Sequence, residues 1–120
     1  MSVDDSTMRR VRSHFATGVT VITVRECMRT RGMTANAVSP VSLDPPLLLV
    51  CVTMGGETHR MLRQAASFAV NILCTDQQHI ANRFAGRLIS DQSFVTDVTV
   101  REEAQPLIYY RRRYRDLRGE

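Results

Sequence analysis

The chain has 120 residues, 43% hydrophobic and 23% charged, which fits one folded domain over 1–120 rather than a disordered segment. Its net charge is +4 and every basic residue is arginine, which suits an anionic ligand such as a nucleotide and, less directly, nucleic acid. Three cysteines without paired spacing exclude a disulfide framework and a cysteine metal site.

The polar start MSVDDSTMRR is not a signal peptide, and no apolar run reaches membrane-spanning length, so a cytoplasmic protein with reduced thiols is expected. Met8 to Phe15 reads as a short helix capped by Ser6 or Thr7. Thr17 to Val24 alternates Val and Thr and reads as a strand. Cys27 to Arg31 is expected to be a basic connection, and Gly32 to Asn36 a second strand paired with the first as a hairpin. Asp44-Pro45-Pro46 is a rigid break, so a strand should begin after Pro46. Leu47 to Val52 is apolar at every position, which predicts a strand buried on both faces, with Cys51 an inert packing residue.

Gly55-Gly56 predicts a turn and Thr58 to Ala66 a helix. Ser67 to Leu73 reads as a strand. Thr75 and Gln78 have capping-box spacing and should start a helix to about Ala85. Phe94 to Val100 and Leu107 to Tyr110 read as closing strands. Strands cluster without strict βαβ alternation. The expected fold is therefore mainly β with short helices, a small barrel with helices at its periphery.

No phosphate-loop, dinucleotide, zinc-protease or nucleophile-elbow motif is present, and no catalytic residue is assigned. His14, His59 and His79 are isolated and read as surface or structural residues. The segment Thr34 to Ser42 combines small, hydroxyl and amide side chains. Such a stretch lets backbone amides approach a flat ring, though by composition alone it reads more simply as a polar loop. Asn71 is an amide within a strand, so it either pairs with neighbouring backbone or faces a ligand. The tail YYRRRYRDLR interleaves aromatic and basic residues as a single-strand nucleic-acid binder would. A final strand with a solvated charged end explains it better, because no RNA-binding signature accompanies it.

In order and spacing, HFATGVTVIT, GMTANAVSPVSLDPPLLLVCV, SFAVNIL and QHIANRFAG resemble the flavin reductase-like family, the FMN-binding split barrels. The end PLIYYRRRYRDL resembles that family's closing segment. The resemblance implies a Greek-key-like split β-barrel working as a homodimer, with FMN or FAD reduced by NADH or NADPH. Reduced flavin would pass to a partner monooxygenase; neither a membrane nor nucleic acid is implied. It places Thr34, Ala35, Asn36 and Ala37 along the flavin ring. Ser39 and Ser42 fall near the ribityl chain or phosphate, and Cys51, Val52 and Thr53 beside the ring. Thr58 falls at a phosphate-binding helix start and Asn71 near the cofactor. Arg83, Phe84 and Ala85 would close over ring or phosphate, with Tyr110 and Tyr114 on the nicotinamide side.

The sequence also departs from that family. Ala37 and Pro40 stand where hydroxyl residues are common, and each removes a hydrogen bond to phosphate. After Gly86 the chain runs almost at once through RLISDQS to FVTDVTV, so it looks internally shortened and lacks central strands. The family's Gly-Asp-His turn, whose histidine is associated with the nicotinamide, has no counterpart.

Overall fold

A computed structural model describes residues 2–85, 105–111 and 113–115, apart from the side chains of Tyr110 and Arg115. The expected strand Phe94 to Val100 and the expected shortening after Gly86 both lie outside these residues. Helix α1 covers Asp5–Ser13, and its cap is Asp4 rather than Ser6 or Thr7: the carboxylate accepts from the Thr7 amide at 2.7 Å. Strands β1 (Thr17–Gly18) and β2 (Thr20–Glu26) divide the single strand expected there. β3 (Arg29–Ala35) returns antiparallel to β2 through a turn at Cys27-Met28, where Cys27 takes φ 54°. The expected connection thus shrinks to a turn, and Arg29 to Arg31 join the strand.

A second hairpin follows. β4 (Val38–Leu43) was not expected as a strand; it pairs antiparallel with β5 (Pro46–Val50), with an irregularity between Pro40 and Ser42. Helix α2 (Glu57–Gln64), strand β6 (Ala69–Ile72), one 3₁₀ turn (Thr75–Gln77) and helix α3 (Gln78–Ala85) come next. The capping box sits one residue earlier than read: Gln77 Oε1 accepts from the Cys74 amide at 3.0 Å. β7 (Ile108–Tyr110) and β8 (Arg113–Arg115) close the described chain. The sheets run β1-β7-β8, β3-β2-β6 and β4-β5. No helix among the described residues is long and apolar enough to cross a membrane.

Burial falls differently from the sequence expectation. The strand covered on both faces is β2, not Leu47 to Val52. Val19, just before β2, and Val21 cluster with Leu73, Ala81 and Leu107 on the α3 side. Ile22 and Val24 point to the opposite face, where α2 packs with Met61 buried. A central strand between β3 and β6 has neighbours on every side. Leu47, Leu48 and Leu49 remain 52%, 46% and 52% exposed, and Cys51 is exposed too, because β5 pairs only with β4 among the described residues.

Candidate functional site

Thr34 lies opposite Val21, so its side chain points to the α3 face, and its hydroxyl donates to the Ala81 carbonyl at 2.7 Å. Thr20 is buried on the other face and donates to the Ala35 carbonyl at 2.7 Å. Asn36 and Ala37 leave the sheet as a half-buried link into β4. The Cys51 amide donates to the Ala37 carbonyl at 2.9 Å, extending the β4-β5 ladder by one step. The stretch from Ala35 to Ala37 is therefore joined to the chain after β5 through Ala37 and Cys51, where the second hairpin follows the first.

The two expected serines do not share a position. Ser39 lies opposite Leu49 near the base of the hairpin, and its exposed hydroxyl donates to the Pro40 carbonyl at 3.2 Å. Ser42 lies opposite Leu47, three residues further out, or about 10 Å along a strand.

Beyond Thr53 the chain turns through Gly55, at φ 86°, where a side chain would be strained. Gly56 caps α2 without a side chain, so the first-turn amides, including that of half-buried Thr58, have no side-chain cap. The surroundings are charged. Arg60 donates to Glu57 and Glu26, and Arg29 stands 3.9 Å from Glu57. The hydrogen bonds from Arg60 hold both carboxyls below their ordinary range and push the guanidinium pKa up.

For a depressed carboxyl the added stability is full above about pH 4.5 and is lost as pH falls through the folded-state value. Arg60→Gln should therefore flatten the acid limb of melting temperature against pH, modestly because the pairs are exposed. Acid limbs of equal slope in both proteins would remove this network from the account.

Helix α3 carries the third group. Ala81 stands level with Thr34 and Phe84 with Gly32, so α3 runs antiparallel to β3. A Cβ at Gly32 would lie 2.7 Å from Phe84 Cδ1 and Cε1; the ring rests on bare backbone and on the core cluster. Phe84 is thus packed inward, while Arg83 and Ala85 are exposed beside it. The Asn71 side-chain amide donates to the Val21 carbonyl at 2.9 Å.

Tyr114 packs at 5.5 Å from the Tyr109 ring, and burial, then Tyr109, pushes its hydroxyl pKa up. The Tyr110 side chain lies outside the described residues. Two packing features were not anticipated from the sequence: the bond from Thr20 to Ala35 and the seat of Phe84 on Gly32.

Residues 11–94 match the family described as Flavin reductase like domain. A Streptomyces globisporus NADH-dependent FAD reductase is 46% identical over 78 residues, covering 65% of this chain and 42% of that protein. The reductase component of a Rhodococcus opacus 4-nitrophenol 4-monooxygenase/4-nitrocatechol 2-monooxygenase is 39% identical over 83 residues, covering 69% and 45%. The solved Streptomyces globisporus C-1027 NADH:FAD oxidoreductase SgcE6, in complex with NAD and FAD fragments, superposes with a TM-score of 0.81 at 27% identity. That match covers 96% of this chain and 95% of the solved one. Against the curated relatives, this chain spans between 33% and 56% of their length.

Proposed function

Because the chain belongs to the Flavin reductase like domain family, we propose that it reduces FMN or FAD with NADH or NADPH and supplies the product to a partner monooxygenase. The observation that carries the reading is the junction where Cys51 binds Ala37, which gathers the small-residue exit of β3 and the end of β5. These residues fit a flavin. Ala35 and Ala37 leave the backbone approachable, and the first-turn amides of α2, near Thr58, suit a phosphate. Bound flavin supplies the ring that takes hydride from the nicotinamide. Asn36, Cys51, Val52 and Thr53 hold and orient the ring edge, which supplies proximity rather than acid–base chemistry. Arg83 adds positive charge from α3, and Tyr114 offers an aromatic edge for the nicotinamide. Ser39, nearer the junction, suits the ribityl chain better than Ser42 does.

Asn36→Asp places a carboxylate at this junction. FMN affinity should fall by roughly tenfold, as an amide contact becomes a repulsion with the phosphate-bearing ligand. Flavin fluorescence quenching measures it, and an unchanged Kd would remove Asn36 from the site.

The protein is further proposed to act as a homodimer in the cytoplasm. The apolar β4-β5 surface, open among the described residues, is one that a second copy would cover, and the exposed thiols of Cys27 and Cys51 suit a reducing compartment. Sedimentation of the purified chain tests the dimer, and a monomer at micromolar concentration would overturn it.

A further inference from the structure

We propose that Thr20 and Thr34 are positioning residues for the flavin, acting through the backbone that leaves β3. The inference rests on the flavin reading above and adds residues to it. Three hydrogen bonds fix the exit of β3. The Thr34 hydroxyl ties the strand to the Ala81 carbonyl of α3 at 2.7 Å. The Thr20 hydroxyl, on the opposite face of the sheet, takes the Ala35 carbonyl at 2.7 Å. The Cys51 amide takes the Ala37 carbonyl at 2.9 Å.

Two carbonyls of the Ala35-Asn36-Ala37 stretch are thus bound to protein, which sets the direction of the peptide planes between them. The intervening amides are then held in one orientation before any ligand arrives. Thr34, expected along the ring, spends its hydroxyl inside the protein.

The arrangement depends on close approach of α3. Gly32 permits it, since a Cβ there would meet the Phe84 ring at 2.7 Å. With the ring seated on bare backbone, the Ala81 carbonyl stays within reach of Thr34. Thr20 is only 6% exposed, and the Ala35 carbonyl is the partner that satisfies its hydroxyl. A valine has the same shape at either position, so these hydroxyls are present for their hydrogen bonds rather than for volume.

The test compares Thr20→Val and Thr34→Val, which keep shape and lose the donor, with Thr20→Ser and Thr34→Ser, which keep the donor. Two readouts are taken. One is FMN Kd by fluorescence quenching, with the visible circular dichroism of the bound flavin. The other is amide hydrogen exchange of residues 35–37 in flavin-free protein.

Each valine variant is expected to weaken FMN binding by roughly tenfold, alter the dichroism and speed exchange at 35–37, while each serine variant stays within about threefold of wild type. Valine variants that bind and exchange like wild type would overturn the proposal. So would serine variants as impaired as the valines, because packing of the methyl group would then be the cause. If Thr20→Val fails to fold, half-buried Thr34 carries the comparison by itself. A wild-type protein that binds no flavin would overturn the functional reading and this inference together. Wild-type binding with unaffected valine variants overturns only the inference.

Discussion

Ile22→Ala is expected to lower folding stability by about 3 kcal/mol, or roughly 10 °C in melting temperature. Ile22 is fully buried at the centre of β2, opposite Met33 on β3 and Val70 on β6. Its side chain points to the face covered by α2, where Met61 is equally enclosed. Neighbouring strands on both sides and a helix above leave little freedom to collapse into the space. The loss therefore combines transfer of the side chain with a cavity that stays open. Exposed Met28, at the hairpin turn, serves as the control. Met28→Ala should shift the melt by no more than about 0.5 kcal/mol. Equal shifts for the two variants would contradict the placement of the core.

Ending the chain at Tyr110 is expected to abolish a cooperative melt at ambient temperature. The deletion removes β8, leaving β7 as an edge and stripping Tyr114 from Tyr109 and from the core cluster of Val19, Val21, Leu73, Ala81 and Leu107. It also removes Arg111, whose amide donates to the Ser13 carbonyl at 2.7 Å and whose guanidinium lies 3.3 Å from His14 Nδ1. Those contacts hold α1, none of whose residues is buried. Calorimetry of the truncated chain checks this result. A sharp transition within a few degrees of the full chain would show that β8 is an appendage.

The first hairpin was readable because Val and Thr alternate through Val24 and Gly32 to Asn36 follows a short basic connection, though Arg29 to Arg31 of that connection belong to the strand. Its burial was not readable. Alternation with Thr resembles a half-exposed strand, and only the bond from Thr20 to Ala35 shows how a hydroxyl can be accommodated inside. The opposite error fell on Leu47 to Val52. Six apolar residues signal a preference for burial but do not say which element supplies the cover. β4 was hidden because Ser and Pro make up half of it and its ladder shifts between Pro40 and Ser42.

The capping box was displaced by one residue, since Gln77 reaches back to Cys74 whichever residue seems the better cap. The candidate site segment was singled out through its resemblance to a family. The inward turn of Thr34 was not. Its partner Ala81 lies 47 residues away, and no local pattern encodes which helix packs on that face.

The most direct measurement is the loss of reduced-nicotinamide absorbance when the purified chain meets NADH or NADPH with free FMN or FAD. The account predicts turnover that saturates with flavin and is reduced in Asn36→Asp. Tight flavin binding without any nicotinamide oxidation would contradict the reductase reading and leave a flavin-binding member of the family that does not transfer hydride.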